Sequence, residues 1–512
     1  MAAPGRAPVR RAAAAGLLAA AVFFVLGWVC AALVDPAAAP HAALGAAVVD
    51  HTPAWLKDWA IAAFGTADKV ALAVSLVLVC AALAVGIGLL GLRRRTLAVA
   101  AVCLLAGSCA LCALTRPDAG TPALLPSVLG GGAGIAVLHL LLDRAGASAA
   151  TTGTAAGGDR RRFLAAAGGT VVASGLLAAV GSLLTRARRG TEAVREQVDI
   201  PEPVQDAPPI PPGAQVDLAG MPPFLTPNED FYRVDTAFVL PRVSPEDWQL
   251  RVHGLVEEEV TLTFEELLDA ALVEASITLT CVSNTVGGDL AGNATWIGLP
   301  VRELLERAGV HPEADMVLSR SADGFTASTP LPALTDGRDA LLAVAMNGQP
   351  LPLEHGFPVR MVVPGLYGYV SATKWVTELE VTRFAVATAY WTQRGWDARG
   401  PIKTASRIDV PRSGAELPAG SVAIGGTAWA QHRGVERVQV QVDDGPWQDA
   451  ELAATPGVDT WRQWSFTWDD ATPGRHAVRC RAWDPAGAQT EVTAPPAPNG
   501  SSGHHVISVV IG

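Results

Sequence analysis

Charged residues are scarce in this sequence, and the scarcity is uneven. Asp, Glu, Lys and Arg make up 17% of the 512 residues, against about 25% in an average soluble protein. The first 190 residues contain no glutamate and carry a net charge of +9, from 16 Lys and Arg against 7 Asp, whereas the remainder carries −20. This pattern excludes a disordered chain and predicts a membrane segment followed by a water-soluble one.

The acidic half also lacks the marks of several function classes. Its charge of −20 supplies no basic face, so nucleic acid is excluded as a partner. No CxxC, HExxH or Cys/His zinc motif follows residue 190, and no CxxCH motif for c-type haem occurs anywhere. Two of the 7 cysteines, Cys281 and Cys480, lie in this half. A disulfide between them is one interpretation, since an oxidising compartment would permit it.

Five apolar runs near the N-terminus are long enough to cross a bilayer, which takes about 20 residues. They are residues 12–34, 69–92, 96–115, 122–142 and 163–185. Arginine clusters lie before the first run, between the second and third, and before the fifth, which puts all three clusters on one side of the membrane. Because basic residues mark the cytoplasmic side, residues 190–512 are expected outside the cytoplasm, on a multi-pass protein of the cytoplasmic membrane.

The segment Arg160–Leu164 predicts how the second half is exported. It reads Arg-Arg-Arg-Phe-Leu and precedes a small, mildly apolar run. This pattern resembles a twin-arginine export signal, a pathway that moves folded proteins already loaded with a cofactor. A plain cytoplasmic arginine cluster before a helix is the alternative.

Glycine and cysteine inside the apolar runs predict packing rather than chemistry. No strand precedes Gly130–Gly134, so this run indicates close helix packing and not a phosphate loop. Cys109 and Cys112 lie within a predicted span, where thiols behave as small apolar residues.

Local patterns divide the chain into four parts. Residues 1–189 form the all-α membrane region, and 190–224 form a Pro-rich linker, extended and semi-rigid. Residues 225–402 mix helix and strand signals: a capping box at Thr263–Glu266, a helix Val301–Ala308, and a hairpin turn at Asn347-Gly348. Residues 403–512 show only short strands with turns, which is typical of a β-sandwich.

Cys281 is the most distinctive residue of the α+β domain. It ends a β-rich run and precedes a polar, glycine-bearing loop that extends to Gly288. A cysteine at such a place suits a nucleophile or a soft metal ligand, and the residues alone leave both open. Cys480 lies inside a strand pattern and is expected to be a buried apolar residue.

Three blocks of the soluble half resemble the sulfite oxidase family of molybdopterin-dependent oxidoreductases. The first is Asn228–Arg233, the second is Thr280–Asn284, and the third, the most specific, runs from His355 to Trp375. The terminal strands, with Gly425–Trp429, resemble the dimerisation domain of that family. The resemblance covers about residues 225–512. It implies a sulfite-oxidase-type α+β domain followed by an immunoglobulin-like β-sandwich and a possible homodimer.

The resemblance also implies a molybdenum–molybdopterin cofactor and its ligands. Cys281 is expected to be the protein ligand of the metal. Residues that match cofactor-binding positions or suit the cofactor's phosphate are Asn228, Phe231, Tyr232, His355, Arg360, Ser371, Thr373 and Lys374. The expected catalytic residues are Cys281, Arg233 and Tyr369.

The implied reaction is oxygen-atom transfer on a small sulfur-containing, sulfite-like substrate, with electrons passing to or from a separate cytochrome or quinone-linked protein. The loop Val282–Gly288 departs from sulfite-oxidising members because it contains no arginine. Reduction of a neutral sulfoxide is therefore an alternative, and a non-catalytic scaffold on a degenerate fold is another. A thiol hydrolase built on Cys281 and His355 is disfavoured because no third group to orient the histidine is suggested.

Overall fold

The computed structural model describes residues 6–53, 56, 59, 68–116, 119–146, 156–187, 190–237 and 239–512. The chain divides into two compact units, Met1–Gly190 with Thr236–Leu240, and Thr191–Asp235 with Pro241–Gly512. Each unit has a buried apolar core of its own.

The first unit is helical. Its helices are α1 (Arg6–Val34), α2 (Pro40–His51), α3 (Asp68–Arg93), α4 (Arg95–Leu114), α5 (Leu125–Gly146) and α6 (Ala156–Ala187). Among the described residues, five helical segments are long and apolar enough to cross a membrane, with mean hydropathies from 1.8 to 2.8. They coincide with the five predicted runs, and α2 is a helix that the sequence did not indicate. Several apolar side chains of α3, including Val70, Val74 and Leu78, are exposed, as a lipid-facing surface would be.

Glycines bring these helices close together, as the sequence predicted. A Cβ atom at Gly130 of α5 would lie 2.5 Å from the carbonyl oxygen of Phe23 in α1. A Cβ at Gly16 of α1 would lie 1.9 Å from the carbonyl oxygen of Ala84 in α3. Any larger residue at either position would push the helices apart, which confirms packing as the role of the Gly130 segment.

The Pro-rich linker is extended, as expected, but it is not a free spacer. After α7 (Gly190–Arg195), the Val204 amide donates to the Leu272 carbonyl at 2.8 Å, and Gln205 forms a bridge with Val273. Further along, the indole of Trp461 donates to the Phe224 carbonyl at 2.9 Å. The linker therefore belongs structurally to the second unit.

Two sheets build the α+β part of the second unit. One has the strand order β2-β1-β10-β5-β6, and the other has the order β3-β4-β7-β8 with β9 paired to β7. The strands are β1 (Gln249–Gly254), β2 (Val260–Thr263), β3 (Val273–Thr280), β4 (Ala291–Pro300), β5 (Met316–Ser321), β6 (Thr326–Pro330), β7 (Leu341–Met346), β8 (Gln349–Pro350), β9 (Arg360–Val362) and β10 (Val376–Thr382). The helices are α8 (Phe264–Leu268), α9 (Val301–Ala308), α10 (Pro332–Thr335) and α11 (Gly368–Ser371).

Three local predictions in this part are confirmed. Thr263 and Glu266 form a reciprocal capping box at the start of α8. Helix α9 ends at Gly309, whose φ of 67° lies in the left-handed region that favours glycine. Asn347 and Gly348, with φ of 51° and 73°, form the turn between β7 and β8.

The C-terminal part is β-rich and forms two further sheets, of order β11-β13-β17-β16 and β12-β20-β18-β14-β15 with β19 paired to β18. Its strands are β11 (Ala405–Val410), β12 (Glu416–Leu417), β13 (Gly420–Trp429), β14 (Arg437–Val442), β15 (Gln448–Asp449), β16 (Glu451–Leu452), β17 (Arg462–Ala471), β18 (Gly474–Asp484), β19 (Gly487–Ala488) and β20 (His505–Ile511). A second core of the unit draws side chains from both sheets. Trp429 and Trp461, however, are buried in the core of the α+β part, so that core also includes side chains of the C-terminal part.

Candidate functional site

The end of strand β3 places Cys281 in a buried, closed loop. The four residues before it are all buried, so the strand is anchored in the sheet. The Cys281 amide donates to the Leu290 carbonyl at 2.9 Å, and the Ser283 amide donates to the Cys281 Sγ at 3.4 Å. Burial raises the pKa of the thiol, which the Ser283 hydrogen bonds and the charge of Lys374 offset only in part. Cys281 is therefore a protonated thiol at neutral pH unless a bound metal displaces the proton.

Cys480 differs from Cys281 in its surroundings. Both cysteines are free, so the disulfide interpretation is wrong. Cys480 is fully buried in strand β18, and burial raises its pKa to about 12. It packs as an apolar residue, as predicted.

His355 ends a short 3-10 turn, Leu353–His355, and is 2% exposed. Its Nε2 lies 3.1 Å from the carbonyl oxygen of Asn228. Because a carbonyl only accepts, Nε2 carries the hydrogen and Nδ1 is an acceptor. That Nδ1 is buried and has no hydrogen-bond partner among the described residues. Burial, reinforced by the charges of Arg360 and Lys374, lowers the pKa of His355 to about 3, so the ring is neutral and too weak a base to activate a thiol.

Arg360, at the start of β9, is a buried cation. Its Nη1 donates to the His355 carbonyl at 3.1 Å, and its guanidinium lies 5.1 Å from the centre of the Trp296 ring. Burial lowers its pKa to about 10, so it is charged at neutral pH. Within the described part of the chain, no carboxylate forms an ion pair with it. A buried guanidinium of this kind suits an anion supplied from outside the protein.

Lys374 is a second buried cation, and an acid holds it. Its Nζ donates to the Glu354 carbonyl at 2.8 Å and to the Asp235 Oδ2 at 3.1 Å. The same Asp235 oxygen accepts from the Arg233 Nε at 2.9 Å. Burial lowers the pKa of Lys374 to about 8, and the Asp235 charge counteracts the shift. Sequence reasoning missed Asp235, although its position two residues after Arg233 could have indicated the pair.

Aromatic rings join the first and third sequence blocks. Phe231 stacks on Tyr232, with ring centres 5.3 Å apart, and meets the rings of Trp296 and His355 edge to face. Burial raises the pKa of Tyr232, and the neighbouring Cys281 raises it further. The Asn228 amide is also engaged, because its Oδ1 accepts from Asn347 at 2.9 Å. The structure thus brings together Asn228, Phe231 and Tyr232 with the His355 and Cys281 regions.

Three predicted residues have their hydroxyls directed elsewhere. The Ser371 hydroxyl donates to the Tyr367 carbonyl at 3.0 Å, and the Thr373 hydroxyl pairs with that of Ser319 at 2.7 Å. The Tyr369 hydroxyl donates to the Asp397 carbonyl at 2.6 Å. It is Tyr367, not Tyr369, whose pKa Cys281 helps to raise, to about 12, after burial as the main cause.

The donor set suits a metal that arrives with ligands of its own. Across the described residues, no group of three or more His, Cys, Asp and Glu side chains could hold a metal ion. The site instead offers one thiol, one unsatisfied acceptor on His355, and the two buried cations Arg360 and Lys374. These groups fit a large anionic cofactor whose metal takes a single sulfur from the protein.

Comparisons with known proteins point to the same chemistry. Residues 237–391 match the family model of the oxidoreductase molybdopterin binding domain. Sulfite oxidase of Gallus gallus is 30% identical over 345 residues, which cover 56% of this chain and 74% of that protein. Mitochondrial sulfite oxidase of Drosophila melanogaster is 29% identical over 311 residues, covering 51% and 53%. The chain thus spans about half the length of the mitochondrial relatives it matches.

One solved structure is also similar. The sulfane dehydrogenase SoxCD from Paracoccus pantotrophus matches with a TM-score of 0.49 and 24% sequence identity, over 56% of this chain and 84% of that one.

Proposed function

The chain belongs to the sulfite oxidase family of molybdopterin-dependent oxidoreductases, and on that premise we propose that it is a membrane-anchored enzyme that transfers an oxygen atom to or from a small sulfur-containing substrate. The observation that carries the proposal is the buried Arg360, which has no counter-ion among the described residues and donates to the carbonyl of His355, whose Nδ1 is unsatisfied. A phosphate-bearing pterin would satisfy both.

The chain's own residues would bind and orient the cofactor. Cys281 would provide the thiolate that the metal needs, and the amide of Ser283 would hold that sulfur in place. Arg360 and Lys374 would hold the anionic tail, while the His355 Nδ1 would accept a hydrogen bond. When bound, the molybdenum cofactor supplies the oxygen-atom transfer and the change of two electrons. Arg233 lies at the rim, 41% exposed at its side chain, where it could meet a substrate.

Ser371, Thr373 and Tyr369 have weaker support. Each hydroxyl already donates to, or pairs with, a protein group, so binding through these hydroxyls would need those bonds to break. Phe231, Tyr232 and Asn228 would form the wall that contacts the pterin.

The charge balance near the site supports a second candidate substrate, a sulfoxide. Asp235 pairs with both Arg233 and Lys374 and so offsets one of their two positive charges, and the loop Val282–Gly288 contains no arginine. A dianion such as sulfite would meet less positive charge than two free cations would provide. A neutral sulfoxide, which is reduced when it gives up oxygen, avoids that problem.

The membrane helices would anchor the enzyme with its soluble unit outside the cytoplasm. Arginine clusters at the ends of the apolar segments favour this orientation, and the Arg160–Leu164 pattern favours twin-arginine export of the cofactor-loaded unit. A cytochrome or a quinone-linked protein would exchange electrons with the cofactor. We assign residues 1–189 to the membrane region, 190–224 to the linker, 225–402 to the cofactor domain and 403–512 to an immunoglobulin-like β-sandwich suited to dimerisation.

The test is a pair of assays on the full chain, purified in detergent from a host that makes molybdopterin. We expect about one molybdenum per chain, and turnover with an artificial electron mediator. Sulfite and methionine sulfoxide are assayed side by side, and the substrate that turns over decides between oxidation and reduction. Molybdenum-loaded protein that turns over neither substrate would favour a scaffold on a degenerate fold, and protein without molybdenum would refute the proposal.

A further inference from the structure

The loop that follows Cys281 is held at two points by the C-terminal β-rich part. The Arg407 Nη1 donates to the Gly288 carbonyl at 3.0 Å, and the Ser501 hydroxyl donates to the Asn284 carbonyl at 2.5 Å. The ring of His505 packs against Gly287, where a Cβ atom would come within 2.2 Å of it. These contacts join residues that are more than 100 positions apart in the chain.

Within the loop, Asn284 bonds directly to the cysteine, and the Gly288 amide donates to the Thr285 carbonyl at 2.9 Å, one residue after Asn284. The Asn284 amide donates to the Cys281 carbonyl at 3.1 Å, and the Asn284 Oδ1 accepts from the Leu290 amide at 3.0 Å. The Cys281 amide also bonds to Leu290, so the loop closes on itself. Fixing Asn284 and Gly288 therefore fixes the amide of Ser283, which donates to the sulfur.

Arg407 is itself fixed in place. It is 7% exposed, and its Nε donates to the Asp409 Oδ1 at 2.7 Å. The other oxygen of Asp409 accepts from the Thr427 hydroxyl at 2.5 Å. The guanidinium also lies within 6 Å of the rings of Trp429 and Trp461. A side chain restrained on so many sides can hold the loop in one geometry.

The strand that leads into the cysteine is held by the same part of the molecule. The Gln431 side-chain amide donates to the Thr278 carbonyl and the Thr280 hydroxyl, each at 3.0 Å. The Trp461 amide donates to the Thr278 hydroxyl at 2.7 Å. Hydrogen-bond donors of the C-terminal part thus hold both the strand before Cys281 and the loop after it.

We infer that Arg407, assisted by Ser501, is a positioning residue that sets the place of the Cys281 sulfur at the metal site. The C-terminal part is then a component of the catalytic centre. The inference rests on the proposed function in one respect, the role of Cys281 as metal ligand. The geometry of the loop stands independently of that role, which allows the two to be tested separately.

The first experiment measures alkylation of Cys281 and Cys480 by iodoacetamide in the full chain, made without molybdopterin and digested for mass spectrometry. We expect Arg407→Gln to accelerate alkylation of Cys281 about tenfold and Ser501→Ala about threefold, since each releases one end of the loop. Cys480 is the internal reference, and Arg437→Gln, on an exposed strand of the same part, is the control. Unchanged Cys281 reactivity in both variants, or equal acceleration of both cysteines, would overturn the inference.

The second experiment uses chain loaded with molybdenum and records the electron paramagnetic resonance spectrum of the Mo(V) state. Arg407→Gln is expected to shift the spectrum, because the sulfur ligand moves, while Arg437→Gln leaves it unchanged. A spectrum of Arg407→Gln identical to that of the unmodified chain would count against positioning. If the unmodified chain binds no molybdenum, the proposed function fails, and the alkylation rates still decide the inference.

Discussion

The α+β part and the C-terminal part of the second unit each contain a buried arginine, but only one of the two has an acid beside it among the described residues. In the C-terminal part, the buried Arg407 pairs with Asp409, and the partly exposed Arg433 pairs with the buried Asp484, both at 2.7 Å. In the α+β part, Arg360 has no such acid among the described residues, and the His355 Nδ1 has no donor. A buried charge with an opposite charge beside it is satisfied within the protein, whereas a buried charge without one suggests a partner from outside. We therefore expect the region of Arg360, and not that of Arg407, to bind an anion supplied from outside the protein.

The two cysteines provide the largest expected difference between the parts. Cys281→Ser should reduce molybdenum from about one per chain to less than about a tenth, because a hydroxyl does not replace a thiolate on a soft site. Cys480→Ser, at an equally buried position, should keep its molybdenum. Metal analysis of both purified variants checks this. Equal loss from both would mean that the cysteines act through folding and not as ligands.

Breaking a paired charge should destabilise the C-terminal part. Arg433→Met leaves the Asp484 carboxylate buried, with 5% of its side chain exposed and its cation removed. We expect a loss of about 2 kcal/mol in the free energy of unfolding, since the carboxylate keeps its hydrogen bonds from Thr404 and Ala486. Denaturation followed by tryptophan fluorescence measures the change. The double variant Arg433→Met/Asp484→Asn should recover part of the loss, and no recovery would argue that the pair contributes little.

Removing an unpaired charge should have the opposite effect. Arg360→Met deletes a buried cation without leaving an acid behind, so the cofactor-free chain should gain about 2 kcal/mol in the free energy of unfolding. The same variant should bind much less molybdenum, since the anionic tail loses its partner. A less stable chain that still binds the metal fully would contradict the contrast between the two parts.

Two histidines, His355 in the α+β part and His476 in the C-terminal part, should change the stability of the chain with pH in opposite directions. The pKa of His355 is lowered to about 3 by burial, so below pH 6.5 the unfolded chain binds a proton that the folded chain does not. Stability of the cofactor-free chain should therefore fall by about 1 kcal/mol between pH 7.5 and 5.5 from this residue.

His355→Gln should remove the part of the pH dependence of stability that His355 contributes. Unfolding curves recorded at pH 7.5 and 5.5 measure this change. His476 is the counterpart in the C-terminal part, because its hydrogen bond to Asp443 raises its pKa. Its stabilisation is present below pH 6.5 and is lost as the pH rises through its folded value. His476→Gln should therefore make the loss at low pH steeper, and identical slopes in all three proteins would contradict both assignments.

The smallest effect is expected on the surface. Arg437 and Asp449 pair on exposed strands, with 48% and 59% of their side chains accessible. Arg437→Gln should leave the free energy of unfolding unchanged within the error of a denaturation experiment. A larger change would show that pairing at the surface of the C-terminal part matters as much as pairing in its interior.

Features that depend only on neighbouring residues, such as caps and turns, were predicted correctly from the sequence. The capping box at Thr263, the end of α9 at Gly309 and the turn at Asn347 follow from local backbone preferences and are confirmed. The five apolar runs follow from composition alone, and the structure has helices there. The block containing His355, Arg360 and Lys374 is short in sequence, so its members were expected to lie together, and hydrogen bonds connect this stretch.

What the sequence did not predict depends on contacts between distant segments or on side-chain direction. A hydroxyl at position 371 suits a phosphate equally well whether it faces the cofactor or, as observed, the Tyr367 carbonyl. Tyr367 and Tyr369 are interchangeable in sequence, yet the backbone of α11 turns only one toward the Cys281 region. The bond between Arg407 and Gly288 joins positions 119 apart, and no local pattern indicates it.

The bonds from Arg407 and Ser501 to the cysteine loop bear on how such proteins can be divided or recombined. The segment that matches the family model, residues 237–391, contains the cysteine but neither of these two donors. If gene rearrangement moved that segment alone to another protein, the Asn284 and Gly288 carbonyls would lose their partners. The two parts of the second unit are therefore expected to be inherited together, because the proposed metal ligand lies in one and its support lies in the other.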